Sequence, residues 1–349
     1  MRNTFARTFY EAAKHDEKLC VVVADISPAG ALDAFRKDFP QRFVNTGVAE
    51  QIMIGMCAGM AMRGLKPFAY TIATFALFRS YEFVRDDLAY QNLPVTVVGI
   101  GGGVTYSMLG GTHHAMEDVA LTCALPNMRV IAPCDPFETE AATKWCVAQN
   151  DGPVYLRLGK AGEPTLSENL WQFGVMRVLR AASNDVCVIG YGPILGLALD
   201  TDATVVSMHT LKPLDVKGIE MLLRNFKRVV VLEEGVRYLG NVVKAIAYDM
   251  KARCDITCLS LKDEFIHKYG SHADVRAAHG LTTERIKEVL VDKSIDPWRG
   301  GLLASARWNI SLICASPRRV NSSSSSFFNL TSIVPRNPVL RRSTNVPIP

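Results

Sequence analysis

Read for its apolar and polar positions, the chain falls into short apolar runs separated by stretches with helical spacing. "LCVVVAD" is an uninterrupted apolar run closed by Asp25 and the turn "SPAG", the pattern of a strand buried on both faces. "RFVNTG", "KPFAYTI", "LPVTVVGIGGG", "MRVIAPCDP" and "GPVYLRLG" read the same way, and the last is expected to close this part of the chain. Between them "TFARTFYEAAKH", the stretch from Ala49 and "FALFRSYEFVRDDLAYQ" read as helices. A second alternation follows: "DVCVIGYGPI", "ATVVSMHTLKPLD", "RVVVLEEG", the helix "GNVVKAIAYDM" and "ITCLSLKD". The fold expected is α/β: two domains with mostly parallel sheets, over residues 1–163 and 181–292, joined by a linker at 164–180. Residues 293–349, with the serine run 322–326 and several prolines, lose this periodicity and are expected to be a disordered tail or a non-native extension.

Composition narrows the class. The longest apolar run, residues 52–62, is too short for a membrane span, which needs roughly 18 residues, and no signal peptide opens the chain, so a cytoplasmic protein without membrane attachment is expected. The cysteines are odd in number and lack CxxC pairing, which fits reduced thiols; Cys254 and Cys258 read as core. The formal charge of +5 sits in the tail: seven arginines and no acid follow Asp296, so the rest of the chain drops to about −2. A nucleic-acid partner is therefore not expected.

Three stretches carry candidate chemistry. Glu50, in "NTGVAEQ", stands between a strand and a helix that opens without charge, at an edge where α/β proteins bind ligands. Burial there would raise its pKa and let it share a proton, although a carboxylate serving the helix dipole is the plainer alternative. Phe75, Phe78 and Tyr81 recur every third residue and on a helix would form one aromatic face, either core or cofactor cradle. The glycine-rich "GIGGGVTYSMLGGTHHAMED" is long for a plain connection and leads to His113 and His114; His113 reads equally as a functional or a structural residue. Neither histidine has metal-ligand spacing, and the glycines match neither a dinucleotide fingerprint nor a P-loop.

Taken in order, "GVAEQ", "TFALFRSY", "GGTHH" and "LPNMRVIAPCDPFE" resemble the pyrimidine-binding domain of the transketolase family, and "VVSMHTLKPLD", "VVVLEEG" and "YGSHADVRAAHGLT" resemble its C-terminal domain. The resemblance implies thiamine diphosphate as cofactor, with Glu50 bonded to N1′ of its aminopyrimidine, Phe75, Phe78 and Tyr81 packed on that ring, and His113 facing the substrate. Arg2, Asp25, His113 and Lys160 are the implied substrate-binding residues. The family's diphosphate and metal motif, Gly-Asp-Gly, is absent from the sequence. A separate N-terminal subunit is thus expected to hold the diphosphate and Mg2+ or Ca2+, around a dimer core of this chain, as in split transketolases.

The substrate positions depart from the family pattern. Ala29 replaces a serine, Gly101 a histidine and Leu109 an aspartate, and Lys160 stands for an arginine, keeping the charge but losing the bidentate fork. The reading that follows is transfer of a two-carbon ketol unit from a ketose to an aldehyde, with a sugar other than the standard ketose and aldose phosphates. A 1-deoxy-xylulose-5-phosphate synthase-like carboligase, a 2-oxo-acid dehydrogenase beta subunit and an idle regulatory paralogue are the competing readings.

Overall fold

The computed structural model describes residues 1–25, 31–160 and 162–291, so Ala29 and the tail lie outside the described residues. The first half is built from α1 (Arg2–Ala13), β1 (Leu19–Val23), α2 (Asp33–Asp38), β2 (Phe43–Asn45), α3 (Glu50–Met62), β3 (Lys66–Ile72), α4 (Ala73–Leu77), α5 (Tyr81–Phe83), β4 (Thr96–Ile100), α6 (Asp118–Ala124), β5 (Arg129–Ile131), α7 (Pro136–Ala148) and β6 (Val154–Leu158). The second half adds β7 (Arg177–Arg180), β8 (Val186–Gly190), β9 (Thr204–Ser207), β10 (Thr210–Lys212), α8 (Val216–Asn225), β11 (Arg228–Val236), α9 (Tyr238–Asp249), β12 (Asp255–Leu261), α10 (His272–Ala278) and α11 (Thr283–Val291).

The first sheet has the order β10-β5-β6-β4-β3-β1-β2 and is parallel except for β10. Every residue of β1, β4 and β6 is buried, because helices cover both faces, and this is why those strands read as unbroken apolar runs. The chain turns from β1 outward to β2 and back to β3, so the order reverses at β1 and opens a crevice at the C-terminal ends of these strands. Asp25 follows β1, Glu50 follows β2, Phe75 follows β3, Gly101 and His113 follow β4, and Lys160 follows β6. Arg2 opens α1, which is pinned by Phe5 and Phe9: Phe5 stacks on Tyr70 at 5.7 Å and Phe9 lies 4.7 Å from Phe68. Burying each such ring contributes about 1.5–3 kcal/mol.

The second sheet has the order β12-β11-β8-β9-β7, parallel except for β7. It departs from the expected layout in two places. The last four residues of the expected linker, 177–180, form β7, held against β9 from Arg177↔Ser207 to Arg180↔Val205. The stretch expected as one element at 203–215 divides: β9 stays in the second sheet, while β10 crosses to pair antiparallel with β5, so β6 does not close the first sheet. The division falls where Met208 N donates to Gly190 O and Ala132 N donates to His209 O, each at 2.7 Å, fastening the turn to both sheets. Among the described residues no helix is long and apolar enough to cross a membrane, and the cysteines are free thiols.

Candidate functional site

Glu50 is the first residue of α3 and is 2% exposed. Its carboxylate is not in a wholly apolar setting, as the sequence led one to expect. Arg79 Nη1 donates to Oε1 at 3.1 Å and to Oε2 at 3.2 Å. Arg79 reaches this position because the helix expected over 75–91 is broken. After α4 the chain makes a turn at 78–80, where Ser80 Oγ donates back to the Ala76 carbonyl, a bond that bends helices, and the helix resumes in a wider form at Val84–Tyr90.

The same break scatters the expected aromatic face. Phe75 lies half-buried under the Arg79 guanidinium, 4.3 Å from ring centre to Cζ. Phe78 is exposed, and Tyr81 turns its hydroxyl to the Leu121 carbonyl at 2.9 Å. Phase along a helix predicts a common face only while the helix continues.

His113 ends the glycine-rich loop and meets Phe75 edge-on, ring centres 5.0 Å apart. Thr112 Oγ1 lies 3.0 Å from its Nδ1. Burial first, and then the Arg79 charge, push the His113 pKa down, which keeps the imidazole neutral at pH 7. His114, beside it, is buried, and burial lowers its pKa as well. On the other side of His113 stands Tyr106, at 6.4 Å between ring centres, with Lys160 Nζ 5.4 Å from the Tyr106 ring. Arg2 acts electrostatically on Tyr106 and on Tyr70.

A continuous row therefore runs Glu50, Arg79, Phe75, His113, Tyr106, and then Lys160 and Arg2. Of the residues expected at the site, the row takes in Glu50, Phe75, His113, Arg2 and Lys160. Asp25 stands apart, exposed and at φ +49°, with its N–H donating to Asn45 Oδ1 at 3.0 Å. Leu109 is exposed in a turn four residues before His113. Sequence reasoning missed Arg79 and Tyr106; each lay inside a quoted motif, but nothing in the local pattern showed that its side chain turns into the row.

The loop carrying His113 is braced from the second half. Gly103, at φ +66°, approaches so closely that a Cβ would lie 2.6 Å from Glu234 Oε1, and Val104 N donates to that oxygen at 2.9 Å. Glu234, at the end of β11, is also bonded by His272 Nε2 at 2.7 Å and by Arg276 Nε at 2.8 Å. Burial would raise its pKa, but the Arg276 charge and the His272 bond outweigh it and hold the carboxyl down at about 2. Behind the loop, Asp118 accepts from Tyr155 at 2.8 Å and from Arg157 Nε at 2.7 Å.

Cys134, Asp135 and Glu138 bring atoms of metal-ligand type together, yet their oxygens are already engaged. Glu138 accepts from Arg177, Ser207 and Cys134 N, and Asp135 from Glu138 N, Leu166 N and Ser167 N. This cluster fastens the start of α7 to the segment that follows β6.

Two family models match the chain: "Transketolase, pyrimidine binding domain" over residues 1–162 and "Transketolase, C-terminal domain" over residues 174–286. An apulose-4-phosphate transketolase subunit of Phocaeicola vulgatus is 32% identical over 297 residues, 82% of this chain and 94% of that protein. A 6-deoxy-6-sulfo-D-fructose transketolase subunit of Clostridium sp. (strain MSTE9) is 31% identical, covering 82% of this chain and 95% of its own length. Among solved structures, a split gene transketolase described as an inactive beta4 tetramer superposes with a TM-score of 0.75 at 30% identity, covering 83% of this chain and 96% of that one. With its two-sheet fold and both family domains in order, the chain belongs to the transketolase family and corresponds to its C-terminal section.

Proposed function

We propose that this chain is the C-terminal subunit of a split, thiamine-diphosphate-dependent transketolase of the cytoplasm, moving a two-carbon ketol unit from a ketose to an aldehyde. The observation that carries the reading is Glu50: a buried carboxylate at a strand-end crevice whose ion-pair partner among the described residues, Arg79, is itself 46% exposed on its side chain. A buried acid with one displaceable partner suits a ring nitrogen that takes the partner's place. The edge of Phe75 and the exposed ring of Phe78 lie on the same stretch of chain and fit a flat heterocycle. Tyr81, its hydroxyl committed to Leu121, packs against the core instead.

When bound, thiamine diphosphate supplies the carbon nucleophile that attacks the ketose carbonyl. Glu50 holds a proton at the pyrimidine N1′, and its burial keeps water from taking over that bond. His113, neutral at pH 7, stands between Phe75 and Tyr106, where it donates to or accepts from a substrate oxygen. Arg2 and Lys160 hold the distal end of the sugar, and Asp25 borders the crevice after β1. The two relatives are named for apulose 4-phosphate and 6-deoxy-6-sulfo-D-fructose, which favours a modified sugar here also.

The diphosphate and its Mg2+ or Ca2+ are assigned to a separate N-terminal subunit. The similar beta4 tetramer, described as inactive, supports dependence on such a partner. Ile52 and Met56 are exposed one turn apart on α3, and Val48 is exposed just before the helix begins, which supports a dimer core between two copies of this chain. Thiamine diphosphate binding and ketol transfer, measured for the chain alone and with a candidate N-terminal subunit, test the reading. Turnover in the mixture only, lost in Glu50→Ala, is expected; a mixture that associates but neither binds the cofactor nor turns over would refute it.

A further inference from the structure

Tyr106 belongs to none of the roles assigned above, yet the loop is shaped around it. After β4 the chain turns at Gly101, φ +76°, and the Tyr106 ring folds back so closely that a Cβ on residue 101 would lie 2.1 Å from Tyr106 Cε2. No side chain fits at 101 while the ring is there. The phenol occupies that room instead, carried five residues further along the chain.

Its neighbours are cationic. Lys160 Nζ lies 5.4 Å from the ring centre, and the Arg2 guanidinium opposes the upward push of burial on the phenol's pKa. Among the described residues neither Arg2 nor Lys160 has a carboxylate within ion-pair distance, and the buried Nε of Arg2 has no hydrogen-bond partner. The Tyr106 hydroxyl likewise donates to no described residue, and it is protonated at neutral pH, burial pushing its pKa above the ordinary phenol value. Two cations without counter-ions and an O–H without an acceptor, all at the C-terminal edge of one sheet beside His113, are together short of an oxyanion.

We propose that Tyr106 is a specificity-determining residue that donates its hydroxyl, between Arg2 and Lys160, to a tetrahedral oxyanion, phosphate or sulfonate, at the distal end of the sugar. The role rests on the ketol-transfer reading for its substrate, though the anion site itself does not. Tyr106→Phe keeps the ring against Gly101 and removes the O–H alone. Gly101→Ala drives the ring out with the O–H still on it.

Inorganic phosphate and inorganic sulfate, titrated into the full chain by calorimetry, probe the site without turnover. Tyr106→Phe is expected to weaken phosphate binding about ten- to a hundredfold, the loss of one hydrogen bond to a charged group, with an unchanged melting temperature. Gly101→Ala is expected to weaken it at least as much. Equal affinity in wild type and Tyr106→Phe, or no anion binding by wild type, overturns the proposal. With the N-terminal subunit present, Tyr106→Phe should raise KM for a ketose ending in phosphate or sulfonate by the same factor, and raise the KM for a neutral ketose of equal length far less. The anion-tailed donor that suffers more names the tail, and an equal change for charged and neutral donors overturns the assignment. If cofactor binds but no ketose reacts, the ketol-transfer reading fails, and the phosphate titration still decides Tyr106.

Discussion

Glu50 and Glu234 are both carboxylates buried beside an arginine at the end of a strand or the start of a helix, and they are built for opposite purposes. Glu234 sits in a closed cage: Arg276, His272 and the Val104 N–H approach from α10 and the glycine-rich loop, and the side chain of Arg276 is itself mostly buried. Glu50 shares one nitrogen of Arg79, which is nearly half-exposed. A carboxylate satisfied on every side is a fixed joint between the two halves of the chain. One that leans on a single solvent-facing cation is free to exchange it for a ligand.

Replacing the two acids separates these roles. Glu50→Gln keeps the volume and an oxygen for Arg79 but cannot exchange a proton with a ring nitrogen. Ketol transfer by the assembled enzyme should fall about 10²- to 10⁴-fold, the range of general acid–base catalysis, with thermal unfolding of the chain almost unmoved. A large fall in melting temperature with turnover retained would make Glu50 structural.

Glu234→Ala should do the reverse. It leaves Arg276 buried without its partner, and breaking such a pair costs about 3–5 kcal/mol, read as a lower melting temperature and a looser loop around His113. The acid limb of stability is the same experiment without a mutation. The folded-state pKa of Glu234 is held at about 2, below the ordinary 4.5, so its contribution is complete above about pH 4.5 and lost as pH falls toward 2. That loss is about 3 kcal/mol. An acid unfolding profile identical in wild type and Glu234→Gln would remove Glu234 as the joint.

The smallest effect belongs to Arg79. The Arg79 side chain is 46% exposed but that of Glu50 only 3%, so Arg79→Ala leaves a buried carboxylate without its ion-pair partner and should cost about 1–3 kcal/mol of stability. On the proposed reading the pyrimidine takes the arginine's place on Glu50, and loss of Arg79 should then tighten thiamine diphosphate binding by the same amount, about 5- to 150-fold. Weaker binding would mean that Arg79 helps to hold the cofactor.

Much of the frame was legible beforehand because β1, β4, β6 and β11 are buried almost throughout, and burial on both faces writes an unbroken apolar run into the sequence. Helix α7 was not, since its buried positions include Thr139, Thr143 and Cys146, small side chains that make no apolar stripe; Asp135 and Pro136, cap and first turn, were the signal available. For the site, the family motifs singled out Glu50, Phe75 and His113, and strand order explains why residues so far apart in the chain reach one edge.

By itself the sequence determined the order of the elements, the two α/β halves and the family, because buried runs, turns and motifs are local records of burial and backbone conformation. Only the tertiary structure decided that β10 crosses to the other sheet, that Arg79 pairs with Glu50 and that Tyr106 lies on Gly101. Each of these depends on where a strand end or a loop closes against residues remote in sequence or against a broken helix, and periodicity along the chain carries no information about that.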